Sequence, residues 1–312
     1  MSAAETVVEA RGLSKRYGGG SGGTTAVDRI DLSVYRGEVY GFLGPNGAGK
    51  TTTLRMLLGL VSPTAGTVSV LGRPPGTAAA LARVGALVEG PAFYPYLSGR
   101  DNLRVVARYA GAADSGVEEA LEVVDLAERA GDRFSAYSLG MKQRLGVAAA
   151  LLKEPELVIL DEPTNGLDPA GMRDMRGLVR RLGGQGRTVL LSSHLLGEVQ
   201  QICDRIGVID RGRMVTEGSV HELRGSAELL VAAAPGDVAR EALEQMPEVE
   251  SVRAVDGVLR VQVDERHTAA AVRTLVESGV AVTQVRRDER QLEDVFFEMT
   301  TTDETIMEAE HV

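Results

Sequence analysis

The chain contains a single cysteine, Cys203, among 312 residues. An intramolecular disulfide is thereby excluded, and this cysteine usage fits a reducing compartment. Cys203 lies in an apolar, helix-like stretch and reads as buried filler rather than a reactive thiol. Long apolar runs are also missing. Hydrophobic residues make up 44 % of the chain, yet no uninterrupted run approaches the ~18 to 20 residues that span a bilayer. The longest, around residues 145–152, is broken at once by Lys153, Glu154 and Pro155. The N-terminus has no basic stretch followed by an apolar one, so no secretion signal is expected. An excess of basic charge is the third absence: the formal net charge is −10. Residues 1–223 balance at 25 acidic and 25 basic side chains, whereas residues 224–312 hold 19 acidic against 9 basic. An acidic appendage repels phosphate backbones and anionic surfaces, so no nucleic-acid partner is expected. The alternative reading of this charge is that it simply keeps a cytosolic domain in solution.

What is present fits two domains of unequal size. Residues 6–10, 27–34, 38–43 and 67–71 are short, rich in β-branched side chains and bounded by glycine or proline, which predicts strands. The glycine-rich stretch 18–23 between the first two predicts a mobile hairpin loop. Over 98–152 the pattern turns helical, with Leu103, Val106, Ala107 and Ala110 at helical spacing. Two continuous apolar runs follow, at 157–160 and 188–191, as expected of strands buried on both faces of a parallel sheet. Between them a helix is predicted with Asp168 as its N-cap, Pro169 at its first position, and Met175, Leu178 and Leu182 on one side. From 227 the order becomes βαββαβ, the ferredoxin-like split pattern, with Asp256-Gly257 as a hairpin turn. Residues 300–312 are polar, acidic and aperiodic and are expected to be a disordered tail.

The chemistry concentrates in three places. Gly44-Pro45-Asn46-Gly47-Ala48-Gly49-Lys50-Thr51 follows a predicted strand and opens a helix at Thr52, the context a phosphate-binding loop requires. Glycines 44, 47 and 49 let the backbone fold so that its N–H groups face the β- and γ-phosphates. Lys50 adds a full positive charge, and the Thr51 hydroxyl is placed to bind Mg²⁺. The nucleotide-binding set is then Gly44, Asn46, Gly47, Ala48, Gly49, Lys50, Thr51 and Thr52. Second, the apolar run 157–160 ends in Asp161-Glu162. Adjacent strand residues point to opposite faces, so the two carboxylates have separate tasks. Asp161 is assigned to the metal and Glu162 to orienting and deprotonating the attacking water. Third, His194 follows the next buried strand and Ser192-Ser193, where it can meet the γ-phosphate. A lone histidine at a strand end is usually structural, so this role rests on its neighbours.

The order of these segments, with Ser138-Leu139-Gly140, Asp161-Glu162-Pro163-Thr164, Gly166-Leu167-Asp168-Pro169 and His194, resembles an ABC-type nucleotide-binding domain over about residues 5–223. The resemblance implies an α/β P-loop NTPase core. Its parts are a RecA-like subdomain, an antiparallel β subdomain and a helical subdomain at about 90–152, followed by a small α+β ferredoxin-like domain at 227–299. It further implies that Tyr17 stacks on adenine and that Asp168 lies in the loop that meets the opposite subunit. Ser138 and Gly140 would contact a γ-phosphate held by a second copy.

Two positions depart from the family pattern. Tyr137-Ser138-Leu139-Gly140-Met141 stands where the family usually has Leu-Ser-Gly-Gly-Gln, and Glu89 stands where a glutamine commonly ligates Mg²⁺. A carboxylate can still ligate the metal, so Thr51, Glu89 and Asp161 are the expected metal residues. The ending 291–300, with Leu292, Val295, Phe296 and Met299, resembles that of ATPase subunits from drug- and antibiotic-exporting transporters and is equally an amphipathic helix sealing the small domain. The implied activity is ATP hydrolysis with ATP and Mg²⁺, in a head-to-tail homodimer. That pair would energise a separate transmembrane permease at the cytoplasmic side of the membrane, in an exporter of drugs, antibiotics or peptides. A soluble ABC ATPase of translation or DNA repair is the alternative; it lacks support from a second P-loop or from long coiled-coil or zinc-bearing insertions. A P-loop GTPase or kinase is disfavoured because no Asn-Lys-x-Asp motif is present.

Overall fold

Apolar and polar residues alternate along the N-terminal segment, and this period of two builds a long hairpin, β1 (Thr6–Tyr17) and β2 (Thr24–Tyr35). The computed structural model describes residues 5–18, 22–224 and 228–288. The hairpin leads into β3 (Val39–Leu43), a strand buried at every position. The phosphate-binding loop follows, then α1 (Lys50–Leu57) and β4 (Ala65–Val70). β1 pairs antiparallel with β4 as far as Ser14 and with β2 as far as Tyr17, which is why it runs to Tyr17 and not only to the expected residue 10. Next come α2 (Ala78–Leu81) and β5 (Val84–Leu87). The helical stretch resolves into α3 (Gly99–Ala110), α4 (Ser115–Val123) and α5 (Leu139–Leu151). The expected apolar stripe holds where Leu103 and Ala107 are buried on α3, with Ser98 capping that helix through Asp101 N–H.

β6 (Leu157–Asp161) and β7 (Thr188–Ser193) flank α6 (Pro169–Gly184), where Asp168 accepts the Gly171 N–H as predicted. After α7 (Leu196–Val199), strands β8 (Arg205–Asp210) and β9 (Arg213–Ser219) complete a six-stranded sheet of order β5-β6-β7-β3-β8-β9. The pairs β5–β6, β6–β7, β3–β7 and β3–β8 are parallel. Leu157 to Leu160 are fully buried, as are Tyr40 and Phe42. Each such large side chain contributes about 1.5–3 kcal/mol by leaving water. Cys203 is buried against Gly41, where any β-carbon would lie 3.0 Å from its sulfur, and burial pushes its thiol well above the usual range.

A salt-bridge chain ties the N-terminal ends of these strands together. Arg36 pairs with Glu5 and, at 2.9 Å, with Glu156, which also pairs with Arg83 just before β5. These two guanidinium groups, Arg83 first, hold the Glu156 carboxyl down at about 2.

The chain divides into one unit ending at Gly218 and a second beginning at Ser219. The second opens with α8 (Val220–Arg224) and continues as β10 (Glu228–Ala234), α9 (Gly236–Glu244), β11 (Val249–Val255), β12 (Val258–Val263), α10 (Thr268–Glu277) and β13 (Ala281–Asp288). Its sheet order is β11-β12-β10-β13 with antiparallel neighbours, the arrangement of a split βαβ pattern. Ala239, Leu243, Ala271 and Leu275 of the helices pack on Leu229, Val231 and Val261 of the sheet. The segment 291–300, the tail 300–312 and residues 19–21 of the glycine-rich loop lie outside the described residues.

Candidate functional site

Strand register decides which side chains meet. Leu43 of β3 lies opposite Ser193 of β7, and Asp161 of β6 lies opposite Ser192. The carboxyl ends of three neighbouring parallel strands therefore deliver residues 44–51, 161–162 and 192–194 to one edge, where open α/β sheets bind ligands. The loop itself is shaped by close approach. A β-carbon on Gly49, at φ 108°, would lie 2.4 Å from the Ala26 carbonyl oxygen, and one on Gly44 would lie 2.1 Å from that of Ile209. No residue with a side chain fits either place without moving backbone. The turn between β8 and β9 supports the loop from below, with Gly212 N–H donating to the Ala48 carbonyl at 3.0 Å.

Lys50 is only 5 % exposed. Its ammonium donates to the carbonyls of Gly44 at 2.7 Å and Pro45 at 3.2 Å and lies 3.0 Å from Glu162 Oε1. The other Glu162 oxygen is 2.5 Å from His194 Nδ1. Thr51 Oγ1 donates to Asp161 Oδ2 at 2.8 Å. The two adjacent carboxylates have different partners: Asp161 faces Thr51, and Glu162 faces Lys50 and His194. Glu162 is the first residue beyond β6 and turns away with φ 49°.

Sequence reasoning assigned no role to Ser192, yet this fully buried hydroxyl joins the Asp161 carboxylate to the Glu162 backbone. It donates to Asp161 Oδ1 and accepts the Glu162 N–H at 2.9 Å. In the sequence it is one of two serines ending an apolar run; only the β6–β7 register singles it out.

The other expected site residues have different surroundings. Tyr17 ends β1, partly exposed, with the Lys15 ammonium 5.1 Å from its ring centre. Asn46 and Gly47 are exposed at the loop tip, and Thr52 is half-buried on α1. Ser138 is the N-cap of α5 and accepts the Met141 N–H at 3.3 Å. Leu139, 47 % exposed, lies within contact of Gly166, while Gly140 faces Leu167 and Gly171. Tyr137 anchors this segment from below: it is buried, and its hydroxyl donates to the Arg129 carbonyl at 2.8 Å. Asp168 is exposed at the start of α6. Glu89, expected at the metal, forms an ion pair with Arg55 of α1, whose guanidinium offers the carboxylate a full positive charge.

Among the described residues no group of three or more His, Cys, Asp or Glu side chains forms a ready-made metal cage. The converging Thr51 hydroxyl and Asp161 carboxylate are hard oxygen donors. They suit Mg²⁺, which keeps several waters and takes further ligands from phosphates.

Comparison with known proteins agrees with this geometry. The family model for the ABC transporter matches residues 27–165. The bacitracin transport ATP-binding protein BcrA of Enterococcus faecalis is 41 % identical, over 95 % of this chain and 97 % of its own length. The daunorubicin resistance ATP-binding protein DrrA3 of Streptomyces coeruleorubidus is 39 % identical, over 98 % of this chain and 99 % of its own. Among solved structures, the dimeric post-hydrolysis ATP-binding cassette MJ0796 bound to ADP and Pi superposes with a TM-score of 0.62. It covers 69 % of this chain and 99 % of its own, and at 23 % identity it speaks for the fold alone. With the phosphate loop, the divided carboxylate pair and near full-length relatives in agreement, the chain belongs to the ATP-binding proteins of ABC transporters and is an ATPase of that family.

Proposed function

We propose that two copies of this chain pair head to tail around two ATP molecules and drive a separate membrane permease that exports an antibiotic, drug or peptide. The observation that carries the reading is the convergence of Lys50, Thr51, Asp161, Glu162 and His194 at the ends of β3, β6 and β7, while Ser138 stands exposed at the N-terminus of another helix. A helix N-terminus presents unpaired N–H groups and partial positive charge, so α5 suits a phosphate brought by a second copy. The permease and the exported class rest on the relatives, which are named for bacitracin transport and daunorubicin resistance. Among the described residues no helix is long and apolar enough to cross a membrane. Such a subunit would act at the cytoplasmic face.

In this reading Lys50 exchanges the Gly44 and Pro45 carbonyls and the Glu162 carboxylate for phosphate oxygens. Glu162, released from Lys50, orients a water and accepts its proton, and His194 holds the carboxylate through Nδ1. Thr51 and Asp161 would hold Mg²⁺, which neutralises charge on the phosphates when bound. Tyr17 would stack on the base and Asp168 would meet the opposite copy.

Mixing two inactive variants tests the pairing. Lys50→Ala lacks a phosphate ligand, and Ser138→Arg blocks the α5 terminus. A mixed dimer has one site carrying both lesions and one carrying none, so mixing should restore ATP hydrolysis. Failure to restore it, with both variants folded, refutes the shared site.

A further inference from the structure

Arg55 lies four residues after Thr51 on α1, and residues at that spacing share one helix face. Long helical side chains lean toward the helix N-terminus, which directs the Arg55 guanidinium toward the phosphate loop. There it pairs with Glu89. Glu89 arrives from a different element. It is the second residue after β5, whose last position, Leu87, is in register with Leu160 of β6. It therefore leaves the sheet at the same edge as Asp161. Its backbone is left-handed, with φ 69°, a conformation that costs a residue other than glycine about 1 kcal/mol or more.

A glutamine at this position would offer Arg55 only a neutral oxygen. A carboxylate offers a full charge, so both the arginine and any cation held by Thr51 and Asp161 attract it. The two attractions cannot both be satisfied by the same oxygen.

We propose that Arg55 is a positioning residue that holds Glu89 off the Thr51–Asp161 pair, and that metal–nucleotide binding has to break this ion pair. The inference rests on the nucleotide-site reading above and deepens it: competition for one carboxylate lowers the preference of the chain for metal-loaded over metal-free ATP. Both partners are partly exposed, with side-chain exposures of 36 % for Arg55 and 64 % for Glu89. Ion pairs of this kind are weak, so the competition should change relative affinities by about 1.5- to 5-fold.

The test is equilibrium binding of a fluorescent ATP analogue to the full-length protein, with Mg²⁺ and with EDTA, expressed as the ratio of the two affinities. Arg55→Met should raise that ratio by about 1.5- to 5-fold, and Arg55→Lys should fall between it and the wild type. Thermal melts establish that each variant is folded. In the Glu89→Gln background Arg55→Met should leave the ratio unchanged, because the competing charge is gone. The proposal is overturned if Arg55→Met weakens both affinities equally, which is the result of merely losing a positive charge near phosphate. It is also overturned if the effect persists with Gln at position 89. Absence of nucleotide binding by the wild-type protein in both buffers would instead strike down the underlying site reading.

Discussion

Replacing Glu162 by glutamine removes the negative charge at the centre of a small network while keeping its shape. Lys50 Nζ is 3.0 Å from Oε1 and His194 Nδ1 is 2.5 Å from Oε2. Hydrogen bonds to charged groups contribute about 1.5–3 kcal/mol, and neutral ones about 1 kcal/mol. The amide oxygen of glutamine can still accept from Lys50, so the loss is the difference, about 0.5–2 kcal/mol. ATP has to take Lys50 from this acceptor, so it should bind Glu162→Gln roughly 2- to 30-fold more tightly than the wild type. Turnover should move the other way. General base catalysis contributes about 10²- to 10⁴-fold, and the amide cannot accept the proton. The two effects are read separately, affinity by titration with a fluorescent ATP analogue and turnover by phosphate release after a single mixing. Wild-type turnover in this variant would remove Glu162 as the base. Unchanged or weaker ATP binding would refute the claim that Lys50 is held back by Glu162.

Further expectations follow from contacts elsewhere. Gly49→Ala places a β-carbon 2.4 Å from the Ala26 carbonyl oxygen at a backbone φ of 108°; it should cost more than about 1 kcal/mol of stability and abolish ATP binding, as measured by calorimetry and nucleotide titration. Ser192→Ala removes the hydroxyl that donates to Asp161 and receives the Glu162 N–H; support of this kind is typically worth about 10- to 100-fold in metal affinity or activity, and a Mg²⁺ titration of ATP hydrolysis measures it. Acid should loosen the fold through Glu156, whose carboxyl is held at about 2 by Arg83 and Arg36 against an ordinary 4.5. A depressed carboxylate stabilises fully above its unfolded value and loses that contribution as the pH falls toward its folded one. The melting temperature should therefore drop between about pH 4.5 and pH 2, and Glu156→Gln should flatten the drop.

Much of the site was legible because its chemistry is written in contiguous residues. A glycine-rich loop that ends in Lys50-Thr51 and an apolar run that ends in Asp161-Glu162 each occupy one strand end, and local spacing is enough to assign them. α6 was legible at its cap, Asp168, because a cap is a bond between residues three apart. Strand lengths were less so. β1 runs on to Tyr17 because β2 pairs with it that far and β4 as far as Ser14, and no feature of residues 11–17 announces those partners. In the second unit, the βαββαβ order was legible, but not that α9 begins at Gly236 and leaves Val238 exposed.

Glu89 and Ser192 show the same limit inside the site. Both are set by partners far along the chain, Arg55 for the first and Asp161 for the second. By itself the sequence marked a phosphate-loop pattern and two adjacent carboxylates at the end of an apolar run, because each is a local pattern of residue types. Only the tertiary structure decided who holds whom: the parallel register of β3, β6 and β7 places Lys50 on Glu162 and Ser192 between the Asp161 carboxylate and the Glu162 backbone. Side chains brought together from different strands are chosen by packing and register, and neither is readable one residue at a time.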